Sequence, residues 1–180
     1  MVISFFAPTV AQAAVIGFTG PYDVSNWTLL SDPAGGNGSV NTSSAPASVT
    51  ITGSGNGFAI GFVGNVNTDY TVVAAGTGVV SFNWSYSSTD VANYDGFGYL
   101  RNGSFTLLAN NASQGSGFTQ FSVVQGDTFG FRVYSTDNIF GPGVATISSF
   151  DAPVPEPTSM AIFGLGALGM AFRAHRRRSS

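Results

Sequence analysis

The chain contains no cysteine and no lysine, and it holds a single glutamate, Glu156, and a single histidine, His175. Without cysteine there are no disulfide staples and no thiolate chemistry, so packing alone must hold whatever folds. Charge is scarce as well. Only 8% of residues are charged, and between residues 14 and 155 they are eight Asp against Arg101 and Arg132, a net charge of −6. No basic patch is available to neutralise phosphates, which excludes nucleic acid as a partner. The same stretch lacks His, Cys, Glu and Lys, leaving only Asp, Tyr, Ser and Arg for acid–base or nucleophilic work. Helical periodicity is absent before Met160.

What is present is β-pattern. Val80-Ser-Phe82-Asn-Trp84-Ser-Tyr86 alternates strictly, with large apolar side chains on one face and Ser81, Asn83 and Ser85 on the other. Phe129-Gly-Phe131-Arg-Val133 repeats this, and Phe121 with Val123 does so more briefly. A period of two over such lengths is a half-buried strand. Further strands are predicted at 48–52, 58–63, 70–74, 98–101, 105–108 and 144–150. Asn102-Gly103 joins two of them in the strongest short hairpin signal, and Gly126-Asp127 predicts another turn. Clusters of Gly, Asn, Ser and Thr at 35–38, 53–57 and 110–117 read as loops. Eight to ten short strands with regular turns predict an all-β chain, a single antiparallel β-sandwich of the jelly-roll kind. Roughly 140 residues is the usual size of one domain with a sizeable core.

Three chemistries are open to this middle region. Asp90 and Asp95 are close enough in sequence to form an acid pair, but a polar loop between strands explains them better, so the domain reads as non-catalytic. Hard cations take carboxylate and carbonyl oxygens, which makes Asp90, Asn93 and Asp95 calcium candidates, with Asp137 and Asn138 as a second set. Their spacing is not that of an EF-hand, and turn formation accounts for them equally well. Exposed rings can stack on sugar faces. Trp27, Tyr94 and Tyr99 sit beside predicted loops, whereas Trp84 alternates with core positions, and core or rim packing is the simpler role for any of them. Six Asn-X-Ser/Thr sequons, Asn26-Trp-Thr28 and Asn83-Trp-Ser85 among them, arise readily by chance in so Ser- and Asn-rich a chain.

The two ends carry address information. Residues 2–10 are apolar and lead into Ala11-Gln12-Ala13, a signal-peptide cleavage pattern that lacks a positive n-region, as in a truncated signal peptide over 1–13. At the other end, prolines hold Val154-Pro155-Glu156-Pro157 extended and exposed, open to a peptide-binding cleft. An uncharged run follows over 160–172, then Arg173, Arg176, Arg177 and Arg178. As a helix the run spans about 20 Å against a hydrocarbon core of about 30 Å, and flanking residues with snorkelling arginines add several ångströms. The basic cap marks a cytoplasmic end, which leaves residues 1–157 across the membrane. Gly164, Gly166 and Gly169 match a dinucleotide fingerprint, but no strand precedes them, and close packing of a membrane helix explains them better.

Motif, greasy run and arginine cap, in that order over 153–180, resemble the PEP-CTERM proteins of bacteria. The resemblance implies processing by an exosortase-type enzyme near residues 155–157, a transient membrane anchor, and association with exopolysaccharide or biofilm at the cell surface or in the matrix. The reading that follows is a signal peptide over 1–13, a β-sandwich over 14–152 and a sorting signal with a C-terminal transmembrane helix over 153–180. Its role is structural or adhesive, with a carbohydrate- or calcium-binding module as the alternative and a hydrolase third.

Overall fold

The computed structural model describes residues 13–31, 36–57, 66–91 and 93–155. Residues 1–12 of the signal peptide expected over 1–13, the strand expected at 58–63, and Glu156, Pro157 and the whole of the expected anchor and arginine cap lie outside the described residues. Among those described, no helix is long and apolar enough to cross a membrane.

Eleven strands run through the described residues: β1 (Ala14–Ile16), β2 (Thr28–Ser31), β3 (Ser39–Asn41), β4 (Ser48–Thr52), β5 (Val66–Val73), β6 (Gly78–Ser87), β7 (Asp95–Arg101), β8 (Ser104–Asn110), β9 (Gly115–Val123), β10 (Thr128–Ser135) and β11 (Val144–Pro153). They form two antiparallel sheets. The larger has the order β3-β4-β11-β6-β9, with β1 pairing the end of β11, and the smaller has the order β2-β5-β10-β7-β8. The fold is an all-β antiparallel sandwich.

Local chemistry explains the connections. Asn102 and Gly103 have φ of 49° and 80°, the left-handed pair of a two-residue hairpin, and Arg101 faces Ser104 across it. The turn after β9 closes when the Asp127 N–H donates to Val124 O at 2.9 Å, and the Asp127 carboxylate accepts from the Val124 N–H. In β11 the alternation slips by one residue between Ser148 and Asp151 relative to β6. Ser149, with φ of 47°, is the extra residue. This bulge returns Phe150 to the core, where it is fully buried.

The inner faces meet in an aromatic core. Trp27, which follows a 3-10 turn and precedes β2, stacks on Tyr70 at 4.8 Å and Phe131 at 5.6 Å, and meets Phe150 edge-on at 5.7 Å. Phe18 stacks on Phe150 at 4.8 Å. Tyr22 is buried, and its hydroxyl donates to Pro153 O and accepts from the Ala75 N–H. Trp27 is therefore a core residue, and Tyr99 is half-buried against the core, stacked on Phe121 at 4.4 Å.

Burial drives the Tyr70 hydroxyl, which donates to Val24 O, up to about 12, with the Asp23 carboxylate adding to the effect. A folded-state pKa above the unfolded value means this stability is intact below pH 10 and lost as pH rises through 12. Thermal unfolding followed between pH 9 and 12 should show a falling midpoint, and the fall should be shallower in Tyr70→Phe. An identical alkaline slope in the two proteins would contradict the assignment.

Candidate functional site: an uncharged sheet face and an acidic pole

Because side chains alternate along each strand, the larger sheet turns one full set outward, and the register aligns that set in rows. One row is Ser48, Ser148, Asn83 and Phe118; the next is Asn41, Thr50, Thr146, Ser85 and Ser116. A third holds Ser39, Thr52, Val144 and Ser87. Every polar member of these rows is a hydroxyl or an amide, and none is charged. Neutral hydroxyls and amides both donate and accept, so they match a hydroxyl-rich ligand better than an ionic one. Thr50 and Thr146 already share a hydrogen bond at 3.1 Å. The rows enclose a shallow depression of about 420 Å³ lined by Asn83, Trp84, Ser85, Ser116, Gly117 and Ser148. Phe118 stands beside it, 62% exposed.

Sequence reasoning sought the stacking ring among residues next to loops and missed Phe118. The signal was there in Gly115-Ser-Gly-Phe118-Thr-Gln-Phe121. Phe118 has the wrong parity to share the inner face with Phe121, so it must point outward. Of the aromatics singled out, Tyr94 is exposed, and Trp84 is half-buried with its indole N–H donating to Thr119 Oγ1 at 3.0 Å.

The second feature is the pole where β6 ends and β7 begins. Asp95 is fully buried at the start of β7, opposite Ser135 of β10. Its Oδ2 accepts from Ser88 Oγ at 2.7 Å, and its backbone N–H donates to Asn111 Oδ1 at 2.8 Å. Ser88 Oγ in turn accepts from the Asp90 N–H and from Asn111 Nδ2. Asp90 is 9% exposed, and one of its oxygens accepts from the Val91 N–H at 2.6 Å. Burial raises the Asp95 carboxyl above the usual range against the pull of Ser88 and Ser135, and the charges of Asp90 and Asp137 raise it further. Burial chiefly raises Asp90 too, with a contribution from Asp137.

The fold thus brings Asp90, Asp95 and Asp137 into electrostatic contact, uniting members of the two calcium sets. Asn138 joins them, its N–H donating to Ser135 Oγ at 3.0 Å and its amide oxygen accepting from Ser54 Oγ. Asn93, with φ of 76°, is exposed on the intervening loop and stands outside the network. Asp95 Oδ1, Asp90 Oδ2 and the Tyr86 hydroxyl are buried with no hydrogen-bond partner. Among the described residues, no guanidinium balances these carboxylates. Arg132 is committed to Asp69 through two bonds of 2.6 and 2.7 Å, and Arg101 lies at the opposite end of β7, bonded to Ser122 O. Among the described residues, no three His, Cys, Asp or Glu side chains converge in a way that could hold a metal ion.

The motif emerges at the other pole. Val154 extends β11, with its N–H donating to Ala13 O at 3.0 Å, and Pro155 is exposed. Residues 153–178 match the family model described as the PEP-CTERM protein-sorting motif. The chain carries that sorting signal, which marks an exported surface protein with a membrane-anchored intermediate and an exosortase as its processing enzyme.

No curated protein matches the chain. Among solved structures it is similar to CBM27-1 of Caldicellulosiruptor saccharolyticus in complex with mannohexaose, at 12% identity and a TM-score of 0.43 over 79% of this chain and 97% of that one. It is also similar to the family 11 carbohydrate-binding module of a cellulosomal cellulase of Clostridium thermocellum, at 12% identity and a TM-score of 0.42 over 82% and 96%. A third is the CBM22-1 xylan-binding domain of Paenibacillus barcinonensis, at 15% identity and a TM-score of 0.38 over 82% and 100%.

Proposed function

We propose that this is a non-catalytic exported protein of the cell surface or extracellular matrix, whose sandwich binds neutral polysaccharide through the outer face of its larger sheet. The observation that carries the reading is the uncharged, register-aligned array of hydroxyls and amides around the Asn83–Ser148 depression, with Phe118 exposed beside it. An extended polyhydroxyl chain can exchange hydrogen bonds with successive rows while one sugar face stacks on the ring. The strand orders β4-β11-β6-β9 and β5-β10-β7-β8 support a jelly roll. Catalysis finds no support in the acid pair, since Asp95 is sealed from solvent and its neighbour is held by its own loop.

A second reading concerns the acidic pole, where calcium fits the donor set. Two buried carboxylate oxygens without partners, and no nearby cation among the described residues, form a polar interior that a hard divalent ion would balance. Asp90 and Asp95 would supply the charge, and amide, hydroxyl or backbone oxygens the remaining positions. The ion would stabilise the loops of this pole.

Affinity electrophoresis through neutral polysaccharide gels tests the binding reading. The parent protein should be retarded, and Phe118→Ala, a surface change expected to alter stability by no more than about 0.5 kcal/mol, should lose most of that retardation. Equal mobility in gels with and without polysaccharide would sink it. For the cation, calorimetric titration with calcium should show binding that Asp95→Asn abolishes, and chelator should lower the thermal midpoint of the parent. No heat and no shift would rule the ion out.

A further inference from the structure

The strands run between two poles, and the pole that releases the tail differs in kind from the acidic one. Val73 ends β5, Val79 lies at the start of β6, and Val124 follows β9; they are 57%, 48% and 60% exposed. Their loops are tied together. The Ala74 N–H donates to Asp127 O at 2.8 Å, the Gly126 N–H to Ala74 O at 2.9 Å, and the Gln125 N–H to Thr77 Oγ1 at 3.0 Å. The same loops hold the tail, because Gly76 lies so close to Val154 that a Cβ there would sit 2.7 Å from the Val154 carbonyl carbon. Three exposed valines therefore sit at the strand ends of the pole where the chain leaves the sandwich, Val73 on the smaller sheet and Val79 on the larger. Ile16 adds a fourth aliphatic, 80% exposed, one side-chain row further up.

Chain length then fixes what this pole faces. From Val154 to Met160, where the uncharged run begins, six residues reach at most about 22 Å even when fully extended. The acidic pole lies the length of β11 away, ten residues or about 34 Å, so it cannot touch a bilayer that the tail spans. It too exposes apolar groups, Val91, Tyr94 and Phe140, but they are out of reach. The trio Asp90, Asp95 and Asp137 lies at the pole away from the lipid. The tail pole has Asp127 beside Arg101 and Asn102, Asp23 on the 3-10 segment nearby, and Asp151 in the same row as Ile16.

We infer that the tail pole is a lipid-docking surface: in the anchored intermediate, Val73, Val79 and Val124 seat against the membrane interface and hold the sandwich upright, its uncharged face open to the side. This rests on reading the tail as a membrane anchor. Because the chain has no cysteine, a single introduced one carries a unique probe. Full-length Val124→Cys and Val91→Cys proteins, each labelled with an environment-sensitive fluorophore, are reconstituted into phosphatidylethanolamine–phosphatidylglycerol vesicles containing nitroxide-bearing lipid. After an alkaline wash the chain should float with the vesicles. The Val124 probe should then lose most of its fluorescence to the nitroxide, and the Val91 probe should keep its own. Flotation with an unquenched Val124 probe, or with equal quenching at both positions, overturns the seating alone. A chain that does not float overturns the anchor and the seating together.

Discussion

Trp27, stacked between Tyr70 and Phe131 and met edge-on by Phe150, is the contact on which the sandwich depends. It belongs to no strand, yet it lies in the space between the sheets and touches rings from both. In a chain without cysteine, no disulfide joins the layers, so their separation and alignment are set by aromatic packing of this kind. Phe18 and Tyr22 extend the cluster toward the tail pole, where the Tyr22 hydroxyl holds the last residue of β11. The core and the point of tail release are thus one mechanical unit.

That unit makes sense of the uneven polarity of the surface. The inner faces take the large side chains, and Ser, Thr and Asn dominate the outward rows of the larger sheet around the depression. Among the described residues charge sits in few places: a bidentate Arg132–Asp69 pair on the smaller sheet, Arg101 with Asp127 and Asp23 at the tail pole, Asp151 beside Ser81 on the larger sheet, and the carboxylates at the far pole. The proposed polymer would meet the uncharged rows, and the proposed anchor and cation the two ends of the molecule. The far pole is the costly part, because a buried carboxylate oxygen without a donor opposes folding unless something balances it.

Much of this was legible in the residues. The long strands were, because β6 and β10 alternate without interruption, and Asn102-Gly103 declared its hairpin. The sorting signal was legible because three weak features occur in order. The three- and four-residue strands β1, β2 and β3 were not, since so short a run has no period to detect. Most of β9 was hidden by Gly and Ser at its start, and Phe118 with it. Asp90 and Asp95 were visible as near neighbours, but their burial, their contact with Asp137 and the lack of a counter-charge depend on which loops share a pole. Core or rim packing is the simpler role for Trp27 in the sequence, and the packing of β2 against β5 places its ring inside.

The central claim is that the sandwich is the working protein and the tail a temporary label beside it. Mass spectrometry of the protein recovered from its native host tests this most directly. The account predicts a chain that begins at Ala14 and ends within residues 155–157. A mature chain that still carries residues 158–180 would contradict it.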